Sequence, residues 1–230
     1  MKQIDISEIF KTSLSTYRKA FSKLMIFSSI SAVLLILSYA DAFIPRGALL
    51  FRLILSLSVL VLLILSLKFK LANQIYVENI LNNREITIEE SFDETRGKVW
   101  RYLGNLLLTG LLLIPMFLFA GKSYSLFITI PYNCLIVPFY FLLEPVIALE
   151  EKDALKLIKA VRLIKENYVG VAVIVFFSQI LWGIPNSIAQ KMFNGNVVAI
   201  LIITIINGII LTFSTAFSSV MKGVLYQRLR

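Results

Sequence analysis

Histidine is absent from the 230 residues and cysteine occurs once, as Cys134. Without histidine the chain has neither the commonest general base nor the commonest metal ligand. A lone cysteine, set here inside an apolar run, excludes an internal disulfide and a thiolate metal site. Glycine-rich phosphate loops are missing too, and only 16% of residues are charged. A search for a nucleophile beside a base, for paired carboxylates and for ligand clusters finds nothing that qualifies. The acidic group Glu89, Glu90, Asp93 and Glu94 is placed for a helix start, where the helix dipole favours negative charge. No cofactor is expected, and the chain does not read as an enzyme.

What the chain has in abundance is apolar length. A hydrophobic fraction of 58% and a mean hydropathy of +0.81 lie far outside soluble averages. Runs at Leu24–Leu37, Leu49–Leu67, Leu103–Ala120, Leu126–Leu143, Val169–Ile184 and Val197–Val220 approach or meet the ~20 residues that a ~30 Å hydrocarbon core requires. The expected fold is all-α, a polytopic bundle of six transmembrane helices in one integral membrane domain over residues 1–230. The first run follows a long charged segment and has no small-residue cleavage site after it, so no removable signal peptide is expected.

Charge sets the expected orientation. Nineteen of the 23 lysines and arginines fall in the N-terminal segment, the Lys68–Arg101 and Lys152–Lys165 connections and the C-terminal end. The three alternate links hold one each, and Arg52 sits at the start of a span. That bias puts the basic side inside. It predicts a multi-pass plasma-membrane protein with both termini cytoplasmic. The net charge of +9 beside spans suits anionic lipid better than nucleic acid.

Three segments are expected as cytoplasmic helices. Ile6, Ile9, Phe10, Leu14, Tyr17, Phe21 and Leu24 recur at helical spacing, predicting an interfacial or lead-in helix over 4–24 that turns into the first span. Thr87 with Glu90 is a capping-box signature opening a helix from about Ile88 through Trp100. Asp153 begins an amphipathic helix to Asn167, with Ala154, Leu157, Ile158, Val161 and Ile164 on its apolar side. Lys152, Lys156, Lys159 and Arg162 gather opposite, as candidate contacts to anionic headgroups, and this helix is expected to run unbroken into the fifth span. Laying TYRKAFSKL, TRGKVWRYL and VRLIKENYV over one another gives a basic helix end and an aromatic (Phe21, Trp100, Tyr168) before each odd-numbered span. The pattern admits three parallel repeats, about 1–80, 81–150 and 151–230. Parallel copies differ from the inverted ones of many secondary transporters.

Polar groups inside spans need a reason, because a centred acid costs roughly 2.5–3.5 kcal/mol to insert. Glu144 is the sharpest case: a solute contact in a helix kinked by Pro131, Pro138 and Pro145, or a carboxylate near the cytoplasmic headgroups paired with a nearby Lys or Arg. Asn105, Asn133, Gln179, Asn186 and Asn207 either line a polar path or bond between helices.

The stretch LLEPVIALEEKDALKLIKAVRLIKENYVGV and the closing VLYQRLR resemble a broad group of prokaryotic six-span proteins of uncharacterised function. That group is related to the membrane domain attached to some glycerophosphodiester phosphodiesterases. The resemblance rests on Pro145–Glu150, Ala154–Arg162 and Tyr226–Arg230, and implies the membrane architecture. In that group the phosphodiesterase chemistry belongs to a separate barrel, whose acidic and histidine ligands are absent here. The leading expectation is a non-enzymatic membrane protein whose basic cytoplasmic face contacts anionic lipid or a partner membrane protein, in envelope maintenance or self-protection. The alternative is a small transporter or transporter accessory subunit with its path along the Pro131–Pro145 helix. Where Glu144 faces separates the two.

Overall fold

A computed structural model describes residues 4–40, 48–119, 137–138, 141–150, 156–178 and 197–230, and among these the regular elements are all helices. They are α1 (Ile6–Ala40), α2 (Leu49–Leu81), α3 (Ile88–Asp93), α4 (Lys98–Phe119), α5 (Leu143–Leu149), α6 (Lys156–Lys165), α7 (Tyr168–Ser178) and α8 (Val197–Leu229). The all-α class is as expected. Three helices, α1, α2 and α8, are long and apolar enough to cross a membrane within the described residues.

α1 runs without interruption because no glycine or proline falls between Ile6 and Ala40. Asp5 opens it, its Oδ1 accepting the Glu8 N–H at 3.2 Å, which satisfies one of the unpaired first-turn donors. At ~1.5 Å per residue, its 35 residues span about 52 Å, well beyond a ~30 Å hydrocarbon core. The expected turn between an interfacial helix and a first span is therefore absent. The same rod enters the apolar zone directly.

The buried stripe of α1 also differs from the apolar one expected. Ile9, Ser13, Thr16, Ala20, Leu24 and Phe27 are buried, while Leu14 and Phe21 are more than a third exposed. Small and hydroxyl residues let neighbouring backbones approach, and α8 fills that seam. The two run antiparallel, with Tyr17 against Phe217 and Phe21 against Phe213, and Glu8 ion-paired with Arg228 at the end. α2 is antiparallel to α1, through Phe27 and Tyr76. It is parallel to α8, where Gln74 Nε2 donates to the Ser219 carbonyl at 3.2 Å. At this crossing a Cβ on Gly223 would lie 2.5 Å from Val77 Cγ1.

α2 divides the bundle into two zones. Its buried residues all lie between Ser66 and Val77, while Leu49 through Leu65 present large apolar side chains outward. Burial of α1 and α8 is likewise dense over Ile9–Phe27 and Ala216–Tyr226. One end is thus packed like a soluble core, and the other is an apolar surface of the kind that lipid covers. Both described chain ends lie at the packed end, joined by the Glu8–Arg228 pair, and Gln227 ties α8 to the end of α2 by donating to Asn82 at 3.0 Å.

α2 stops at Asn82, with Asn83 in the left-handed region at φ 54°. Thr87 and Glu90 form the expected capping box: the Thr87 Oγ1 accepts from Glu90 N, and Glu90 Oε2 accepts from Thr87 N at 2.7 Å. The helix it opens ends at Asp93, short of Trp100, because Gly97 turns the chain at φ +77° and α4 begins at Lys98. The expected unbroken passage from 153 into the fifth span is interrupted as well, since Glu166 and Asn167 make a turn between α6 and α7. Of the three overlaid segments, then, the first is continuous helix and the other two break shortly before their aromatic residue. The predicted kink at Tyr132–Asn133 lies outside the described residues.

Candidate functional site

α5 is seven residues long, yet it holds the polar centre of the packed end. Pro145 falls in its first turn, where a missing N–H removes no helical bond. Leu143, Glu144, Pro145, Val146, Ile147 and Ala148 are all buried. Glu144 Oε1 accepts from the Tyr102 hydroxyl at 2.9 Å, and its Oε2 accepts from Lys222 Nζ at 2.6 Å. Lys222 also lies over the Phe141 ring, 5.2 Å from its centroid. Just past the helix, Glu150 receives the Tyr226 hydroxyl at 2.6 Å and ion-pairs with Lys159. Each carboxylate is therefore held by one tyrosine and one lysine.

Helical spacing explains how distant segments supply these partners. Lys222 and Tyr226 are four apart on α8 and so share a face, which meets Glu144 and Glu150 in turn. On α4, Lys98 and Tyr102 have the same spacing: Lys98 Nζ donates to the Ala148 carbonyl at 2.6 Å, beside the Tyr102–Glu144 bond. One turn further, Asn105 Oδ1 accepts the backbone N–H of Leu157 at 3.2 Å, in the first turn of α6. This is an interhelical bond of the kind expected for amides in spans.

For Glu150, burial works to raise the pKa. The hydrogen bonds from Lys159 and Tyr226, with the charges of Lys159 and Lys156, outweigh it and hold the carboxyl below its ordinary range. Glu90 is likewise lowered, by its backbone and side-chain bonds with Thr87.

Glu144 and Lys222 border a cavity of about 400 Å³ between α1, α2, α7 and α8. Lys70 lines it too, adding its charge to the field on Glu144. Seven hydroxyls, from Ser31, Ser66, Ser178, Ser214, Thr215, Ser218 and Ser219, complete the polar wall, and Leu34, Leu63 and Leu211 the apolar one. Ser178 Oγ donates to Ser218 Oγ at 3.1 Å across the α7–α8 gap. The cavity begins at the charged layer and extends into the zone where α2 turns its leucines outward.

Glu144 is thus paired with a lysine, as one of its two readings expects, and it borders a polar cavity, as the other requires. Asn207 is buried, with its Nδ2 lacking a hydrogen bond among the described residues. It lies on the same α8 stripe as Leu211, Ser214, Ser218 and Lys222. Asn133, Gln179 and Asn186 lie outside the described residues.

The expected headgroup contacts are dispersed. Lys152 lies outside the described residues. Lys156 is buried at 1% exposure, with Ala160 and Ile164 on the inner face of α6, whereas Ile158 is 54% exposed. The apolar side drawn from the sequence is therefore rotated: in α6, whose Leu157 N–H is held by Asn105, Lys156 lies on the inner face. Lys159 is engaged by Glu150, and Arg162 is exposed, beside Asp5, Glu8 and Glu166. Among the described residues no three His, Cys, Asp or Glu side chains converge as a metal site.

Tyr102, Lys70 and Lys222 carry the site with Glu144, and the sequence reading counted the lysines only as positive charge. A sharper signal was present: Ser66–Lys70 and Ser214–Ser218–Lys222 repeat polar residues at intervals of four inside or beside apolar runs, which marks an inward polar stripe. No protein-family model matches this chain, and neither a curated protein nor a solved structure is significantly similar to it.

Proposed function

We propose that this chain is a non-enzymatic, multi-pass plasma-membrane protein, a small carrier or carrier subunit that admits a polar solute to the cavity beside Glu144. The observation that supports this best is the cavity itself. Two lysines, a glutamate and seven hydroxyls face one space among helices whose outer surfaces are apolar, and polar groups in such a setting mark solute paths. Its volume of about 400 Å³ falls within the ~300–1,000 Å³ of small-molecule sites. The six-span arrangement with cytoplasmic termini belongs to this proposal. It is supported by the excess of lysine and arginine on one set of connections and by the Glu8–Arg228 contact, which holds both described ends together.

Contact of a basic face with anionic lipid or a partner membrane protein is the second reading, favoured by the exposure of Arg162 and Lys165. It is weakened by Lys156, which is buried, and by Lys159, which is ion-paired with Glu150.

Thiol labelling tests the cavity. In a Cys134→Ser background, Ser218→Cys reacts with a charged, membrane-impermeant thiosulfonate at a rate close to that of an aqueous thiol, while Leu57→Cys on the lipid side does not. If Ser218→Cys in folded protein is as inert as Leu57→Cys, the space holds no water and the carrier reading is abandoned.

A further inference from the structure

The charge balance of the cavity selects its ligand. Each oxygen of Glu144 accepts one bond, from Tyr102 and from Lys222, so its negative charge is already opposed by an ammonium. Lys70 forms no ion pair within 4.0 Å among the described residues, and its half-buried side chain lines the cavity. The lining thus has two ammonium groups against one carboxylate, an excess of one positive charge. The hydroxyls of Ser31, Thr215 and Ser219 line the same space and can donate to an acceptor. An unneutralised ammonium next to an apolar zone is costly. An oxyanion would supply the missing partner.

We infer that the cavity binds a phosphate group, with Lys70 as its principal contact and the Ser31, Thr215 and Ser219 hydroxyls as accessory donors. Lysine serves phosphate as a compact point charge, and bonds between charged groups are the strong ones in a space partly shielded from water. About 400 Å³ accommodates a small phosphate ester or the headgroup of an anionic phospholipid. In the second case Leu34, Leu63 and Leu211 border the route of the acyl chains. The inference rests on the cavity reading above and adds the class of ligand.

The test uses the full chain in a neutral detergent and reads thermal unfolding by tryptophan fluorescence, since a ligand that binds only the folded state raises Tm. One arm adds sodium phosphate against sodium chloride at equal ionic strength. The other compares mixed micelles of phosphatidylglycerol and of phosphatidylcholine. A rise in Tm with phosphate alone identifies a soluble ester, and a rise with phosphatidylglycerol alone identifies a lipid headgroup. Either rise is lost in Lys70→Gln and kept in Arg162→Gln. Because Lys70→Gln can fail to fold, Ser66→Asp provides a second route: it puts a carboxylate one helical turn from Lys70 and also abolishes the rise. No rise in either arm, or a rise that survives both Lys70→Gln and Ser66→Asp, overturns the inference. If Ser218→Cys labels from water while neither anion raises Tm, the ligand assignment fails and the cavity reading stands.

Discussion

Replacing Glu144 with glutamine preserves the length of the side chain and removes the charge that Lys222 faces. Both side chains are largely buried, with 11% of Glu144 and 17% of Lys222 exposed. Removing one partner of a buried pair costs ~3–5 kcal/mol when the survivor is left without compensation. Two features reduce that figure here. The glutamine carbonyl can still accept from Tyr102, and Lys222 borders the cavity, where the water that the carrier proposal admits would solvate it. A net loss of about 2 kcal/mol follows. For a chain of this size each kcal/mol moves Tm by ~2–4 °C, so Glu144→Gln melts about 4–8 °C below the parent in the same detergent. The double variant Glu144→Gln/Lys222→Met removes both charges, and most of the loss is recovered. Thermal unfolding of the parent, both single variants and the double variant forms a cycle whose coupling measures the pair. A Glu144→Gln protein within about 1 °C of the parent, or losses that simply add in the double variant, would refute the pairing as a structural element.

Gly223→Ala puts a methyl 2.5 Å from Val77 Cγ1, and a β-branched side chain in a helix has little freedom to yield. Overpacking of ~1–3 kcal/mol exceeds the ~1 kcal/mol gained in helix propensity, so the variant is less stable by thermal melt and Val77→Ala rescues it. Gly104→Ala, with nothing within 4 Å, is neutral or stabilising in the same assay. The Glu150 carboxyl, held below its ordinary value of 4.5, contributes stability that is full above that value and is lost as pH falls through the lowered folded value. Melts of the parent and of Glu150→Gln therefore differ most near neutrality and converge below pH 4.5; a difference unchanged at pH 3 would count against the linkage.

Local signals in the sequence were reliable where one short segment decides the outcome. The Thr87–Glu90 box depends only on neighbours in the chain, and it forms as expected. Helix faces were read less well. In α1, apolar spacing picked out Leu14 and Phe21, which point outward, because a residue bound for lipid is as apolar as one bound for a core. The inner seam was written instead in Ser13, Thr16 and Ala20. Lys156 misled in the opposite sense, since lysine ordinarily faces water, yet here it lies on the inner face of α6 with Ala160 and Ile164. Glu144 stood out as an intramembrane acid, but its partners lie 42 and 78 residues away. Separations of that kind leave no periodic trace, so Tyr102 and Lys222 could be assigned only once α4 and α8 were in place.

The pairing of α1 with α8 bears on how the protein is made. During synthesis the first helix emerges long before the helix that covers its Ser13–Thr16–Ala20 seam, and at ~5–20 residues per second the wait for α8 lasts on the order of ten seconds or more. Throughout that interval the seam must be shielded by lipid, by α2 or by an insertion chaperone. Biogenesis, more than the finished assembly, is therefore the stage at which this small bundle is most exposed to capture by the wrong neighbour.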